Sequence, residues 1–176
     1  MKHIIFGFGL VLAAALSRLL PHPPNFTPIA AIALSSAVYL DRRYAFLLPL
    51  AAMLVSDYFI GFHSGVPWVY GSFALIALIG LWLRTHKRPL PIVGAALSGS
   101  VLFFIITNFG VWLTGTMYPK TWAGLVECYT LAVPFFENTV MGDLAYTAAL
   151  FSLFELGAYW QLGLKTETSG SSVVKE

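Results

Sequence analysis

Apolar residues run along this chain in long blocks, and charges and prolines cut the blocks apart. A bilayer core of about 30 Å takes roughly 20 apolar residues of helix. Six stretches approach that requirement, at about 3–20, 26–40, 44–62, 68–84, 91–114 and 138–163. The second is short unless the residues before it extend it. The fifth is the longest, and no charge falls between Pro89 and Pro119. Strands of a membrane barrel would alternate polar and apolar residues, whereas these blocks are apolar on every face. The pattern predicts an all-α integral membrane protein with six transmembrane helices, folded as one domain over residues 1–164. Residues 165–176, "KTETSGSSVVKE", are polar and read as a disordered tail. The segment "TWAGLVECYTLAV" (121–133) reads as a short interfacial helix ended by Pro134.

Composition strengthens the membrane reading. The 176 residues are 58% hydrophobic and 10% charged, with mean hydropathy +0.78, whereas soluble domains carry about 25% charged residues. A net charge of +2, spread over loops, gives no reason to expect nucleic acid. The lone cysteine, Cys128, rules out an intrachain disulfide and a Cys-pair metal site; its plain reading is a small apolar filler. Lys2, the apolar run and the alanines at 13–15 also resemble a signal peptide. Against that, the apolar run continues past the alanines to Leu20.

Orientation follows the lysine and arginine bias of short loops. Lys2, Arg42, Arg43, Arg84, Lys87, Arg88, Lys165 and Lys175 fall on one side, and Arg18 and Lys120 on the other. Eight cations against two place the N and C termini in the cytoplasm. The outer loops are then "PHPPNFTP", "GFHSGVPWVYG" and "TGTMYPKTWAGLVECYTLAVPFFEN". They are rich in aromatics, glycine and proline, and the last is too long for a plain connector. Trp68, Tyr118 and Trp122 would sit there equally well as interface anchors.

Ionisable groups inside spans are costly and therefore candidates for function. Arg18, Asp57, Asn108, Glu137, Asn138 and Asp143 all fall in the outer halves of their spans, whereas Glu155 lies nearer the inner side. Arg18 with Asp57 or Asp143 would form an intramembrane ion pair, which alone would account for them as bundle glue. Their convergence at one depth favours a shared polar pocket with aromatic walls, for which Phe135, Phe136, Tyr129, Trp112 and Tyr70 are candidates. The expected substrate-binding set is His22, Asn25, Asp57, His63, Asn108, Trp112, Cys128, Tyr129, Asn138 and Asp143. His22 and His63 with Cys128 would make a soft metal site, although their spacing does not demand one. Gly9, Ala13 and Ser17 recur every four residues and let a neighbouring span or a separate subunit approach the first helix closely.

Enzyme signatures are missing: there is no H-E-x-x-H, no G-x-S-x-G and no P-loop. "MGDLAY" (141–146) lacks the glycine two places before Asp143 that a membrane aspartyl protease motif wants. No enzyme activity and no resident cofactor are expected.

With these loops, termini and small-residue stripe, the chain resembles the substrate-binding S components of energy-coupling factor (ECF) transporters. "PPNFTPIAAIAL", "LPLAAMLVSDYFIGFH", "FFIITNFGVWL" and "PFFENTVMGDLAY" also resemble an uncharacterised group of small bacterial membrane proteins often placed near them. The resemblance runs from Arg18 to about Phe154 and is architectural. It implies a six-helix protein of the bacterial cytoplasmic (inner) membrane that takes up a vitamin-sized small molecule from outside. It also implies a transmembrane coupling subunit with ATPases as partner, docked on the stripe of Gly9, Ala13 and Ser17. Cobalamin-type members can use a cysteine thiolate on cobalt, so a corrinoid is one implied substrate. Cys128 would be the ligand and Tyr129 the stacking ring. The nickel and cobalt members carry a histidine at position two, where this chain has Lys2 followed by His3. The competing functional readings are a structural or assembly subunit without a ligand, and a small membrane-embedded enzyme.

Overall fold

A computed structural model describes the backbone of residues 2–170 and the side chains of residues 7–159. The described chain is helical throughout, with α1 (Lys2–Leu19), α2 (Ile29–Tyr39), α3 (Tyr44–Ile60), α4 (Val66–Leu83), α5 (Pro89–Thr114), α6 (Trp122–Leu131) and α7 (Val133–Gly170). Val66–Leu83, Pro89–Thr114 and Val133–Tyr159 are long and apolar enough to cross a membrane, and Gly7–Leu19, Ile29–Tyr39 and Tyr44–Ile60 are shorter apolar helices. Six of the seven helices overlap the apolar stretches expected as spans. The last starts earlier than expected, at Val133, because Pro134 falls in the first turn of α7, where its missing N–H costs nothing. The expected interfacial helix is α6, but it ends at Leu131 and not at Pro134. The backbone of α7 continues through Gly170, past the start of the segment read as a disordered tail, and residues 171–176 lie outside the described ones.

The centre of the bundle is α2. Its sequence, IAAIALSSAVY, is apolar or small on every face, and Ile29 to Val38 are all buried; a helix without a polar face belongs inside. It packs against α3, α4, α5 and α7, while α1 packs on the outer flank of α3, and α6 on α5 and α7. Close approach of α2 and α4 depends on Gly80: a Cβ there would stand 2.7 Å from the Ala37 Cβ and 3.1 Å from the Leu34 Cα. Buried serines return their hydroxyl protons to their own helices. Ser36 donates to Ile32 O at 2.5 Å, Ser56 to Ala52 O at 2.8 Å and Ser72 to Trp68 O at 2.7 Å.

At about 1.5 Å per residue, the eleven residues of α2 cover little more than half of a 30 Å hydrocarbon layer. Each end of this short helix is therefore met by other groups. At its C-terminus, Arg84, just past the end of α4, donates to Leu40 O at 3.0 Å and to Ala37 O at 3.5 Å, a cation on the negative end of the helix dipole. Beside it, Lys87 and Glu155 pair at 2.6 Å, Tyr39 donates to Glu155 at 2.5 Å, and the Tyr39 ring stacks on Phe154 at 4.6 Å. The Lys87–Glu155 pair is half exposed, so Lys87→Ala should cost under about 1 kcal/mol. A melting-temperature difference that shrinks as salt is added would confirm this. The other end of α2 opens into a cavity.

Candidate functional site

Above the N-terminus of α2 lies a cavity of about 410 Å³. Its polar lining comes from Arg18 of α1, His22, Asn25 and Thr27 of the α1–α2 loop, His63 of the α3–α4 loop, and Thr139 and Asp143 of α7. The apolar walls are Ala30, Met53, Ile60, Val69, Phe73 and Phe103. The space exists because α2 starts late. Residues 20–28 bridge from α1 as irregular backbone along the cavity.

That loop is held in place by its own prolines and by α7. Asn25 takes a left-handed conformation (φ 65°), a turn that asparagine tolerates, and Phe26 N–H donates to Pro23 O at 3.0 Å. Phe26 then lies on α7, where a Cβ on Gly142 would stand 3.1 Å from the Phe26 Cα. Its ring meets Tyr146 at 5.5 Å.

Two buried polar units tie the walls together. Arg18 pairs with Asp57 at 2.7 Å and donates to Ser56 Oγ, and Tyr70 donates to the other Asp57 oxygen at 2.9 Å. This joins α1, α3 and α4. Asp143 accepts from Ser100 at 2.6 Å, which joins α5 and α7. The loop histidines are fixed by opposite roles. His22 Nδ1 lies 2.7 Å from Leu20 O. A carbonyl only accepts, so Nδ1 carries a proton. His63 Nδ1 accepts from Gly65 N–H at 3.1 Å, which leaves Nε2 as the protonated nitrogen of its neutral ring.

The ten residues expected to bind substrate divide into two groups. His22, Asn25, His63 and Asp143 border the cavity, and Asp57 stands behind Arg18. Of the two pairings open to Arg18, the structure forms the one with Asp57. Asn108, Trp112, Cys128, Tyr129 and Asn138 are not on the cavity lining. Asn108 donates to Phe104 O of its own helix at 2.8 Å, Trp112 Nε1 to Pro119 O at 2.9 Å, and Tyr129 to Ile105 O at 2.6 Å. Asn138 is half-buried and Glu137 exposed. The expected aromatic walls are likewise replaced by Phe73 and Phe103, 5.2 Å apart. Thr27 and Thr139 were not anticipated, since a hydroxyl in an apolar run carries no signal of its own.

Trp112, Cys128 and Tyr129 instead lie where α6 and the loop before it are fastened to α5. Thr121 caps α6 by accepting from Gly124 N–H at 3.2 Å. Lys120 donates to Gly115 O at 2.5 Å and to Trp112 O at the end of α5, again a cation on a helix C-terminus. Cys128 is buried, with its thiol 3.5 Å from Asn108 O. Burial pushes the thiol pKa up, against the opposing effects of a backbone hydrogen bond and Lys120. At neutral pH it therefore stays protonated and covered. Maleimide should label it far more slowly in folded protein than after unfolding in SDS; equal rates would contradict this. Among the described residues no three His, Cys, Asp or Glu side chains converge on a metal position.

The geometry suits a neutral or singly charged organic molecule: an apolar slot with donors and acceptors at its rim, inside a bundle with the helix lengths and composition of a multi-pass membrane protein. No curated protein and no solved structure matches the chain. One family does match it over residues 1–163, and the chain belongs to that family, DUF6580, a family of unknown function.

Proposed function

We propose that the protein binds a vitamin-sized small molecule from the outer side of a bacterial cytoplasmic membrane and passes it inward, in the manner of an S component. The observation that carries this reading is the cavity of about 410 Å³, within the range of small-molecule sites. In this reading six helices span the bilayer with both termini in the cytoplasm, and the α1–α2 and α3–α4 loops form the outer rim. The chain holds no ATP-binding motif, so energy comes from a partner or a gradient. A coupling subunit with ATPases would dock on α1, where Gly9 and Ala13 face outward beside Phe8, Leu12 and Leu16. A corrinoid is the less supported cargo, because neither Cys128 nor Tyr129 borders the cavity.

Thermal melting of the purified protein against a screen of vitamins, corrinoids and metal ions tests the reading. A ligand at about 100 times its Kd adds about 2.7 kcal/mol to stability, a clear rise in Tm. A screen that moves no melting temperature favours a structural subunit instead. Orientation is tested separately by a reporter fused to the C-terminus, which should be active in the cytoplasm; an outside signal overturns the loop assignments.

A further inference from the structure

Among the described residues, the full charges around the cavity do not balance. Arg18 and Asp57 neutralise each other at 2.7 Å. Asp143 lies on the cavity wall, 4% exposed, and its one polar partner is the uncharged Ser100 hydroxyl on Oδ2. The described salt bridges leave Asp143 without a cation. A carboxylate this deep in an apolar bundle is costly unless a positive group meets it. Lys120 is committed to the end of α5, and Arg84 and Lys87 serve the opposite end of α2. Among the described residues no lysine or arginine meets Asp143, so either a proton on the carboxyl or a positive group in the cavity offsets its charge.

We propose that the ligand presents a cationic nitrogen, a protonated amine or a positively charged heterocycle, to the free oxygen of Asp143. The rest of the molecule is an apolar or aromatic body lying between Phe73, Phe103 and Val69. Arg18 borders the same space and supplies a donor to an acceptor elsewhere on the molecule. This deepens the uptake reading and rests on it.

The test uses matched probes that differ in charge at one position. Pyridoxamine, pyridoxine and 4-pyridoxate form one series; tryptamine, tryptophol and indole-3-acetate form another. Binding to full-length purified protein is followed by melting temperature and by equilibrium dialysis. In at least one series the amine should bind at least tenfold more tightly than the alcohol and the acid. Asp143→Asn should abolish that preference. Ser100→Ala, which keeps the carboxylate, should retain it, and serves if Asp143→Asn does not fold. Equal or tighter binding of alcohol or acid overturns the cationic ligand, because it means that Asp143 acts as a neutral acid or not at all. If neither series binds, the vitamin screen decides. Hits confined to neutral or anionic molecules overturn this inference and leave the uptake reading standing; a cationic hit lost in Asp143→Asn supports both. A screen with no hit removes both.

Discussion

Replacing Arg18 with leucine should destabilise the protein by about 3–5 kcal/mol, the cost of leaving one member of a buried ion pair without its partner. Asp57 is 1% exposed, and Tyr70 would be its remaining polar partner at 2.9 Å. Asp57→Leu should be costly too, stranding the cation, although Arg18 is 16% exposed and borders the cavity, so water can reach it. The double variant Arg18→Leu/Asp57→Leu should recover much of the loss, because a buried pair and an apolar replacement differ little in net energy. A double-mutant cycle on melting in detergent gives the coupling directly. If Arg18→Leu melts with the wild type, the pair does not join α1 to α3.

The second large effect is expected at Gly80→Val. The atoms that its Cβ would meet belong to the α2 backbone and to the short Ala37 side chain, at 2.7 to 3.2 Å. No flexible side chain can yield, so α4 must move away from the central helix. Overpacking of this kind costs about 1–3 kcal/mol, and separating α2 from α4 also loosens the Arg84 contacts at the end of α2. Ala37→Gly in the Gly80→Ala background should restore part of the stability lost in Gly80→Ala alone, since it removes the closest contact. An unchanged melting temperature in Gly80→Val would show that α2 and α4 do not pack at this distance.

Much of the helical layout could be read from apolar length and from the positions of prolines and charges. The long uncharged run from Pro89 to Pro119 became α5, and α6 formed where its composition suggested but ended at Leu131, with Pro134 opening α7 instead of closing α6. The central place of α2 was also legible, since IAAIALSSAVY offers no polar face, but its consequence was not. That a short helix leaves a cavity above its N-terminus depends on where its neighbours stop. The same reasoning explains the uneven outcome for the site. Depth along a helix can be counted from sequence, and it grouped Arg18, Asp57 and Asp143 with Asn108 and Asn138. Rotation about the helix axis decides which of these face inward, and in helices apolar on every side no stripe reveals it. Asn108 bonds its own helix, whereas Asp143 reaches Ser100 and the cavity. Cys128 and Tyr129 stood at a suitable height, but α6 turns them against the backbone of α5 rather than into the cavity.

The central claim is that the cavity faces outward and is open to molecules from that side. His63→Cys in a Cys128→Ser background puts a single thiol on the cavity rim, and a membrane-impermeant maleimide reads which side can reach it. Labelling of spheroplasts but not of inside-out vesicles is the predicted result. Labelling in inside-out vesicles alone would contradict it, since the cavity would then open to the cytoplasm and could not receive a substrate from outside.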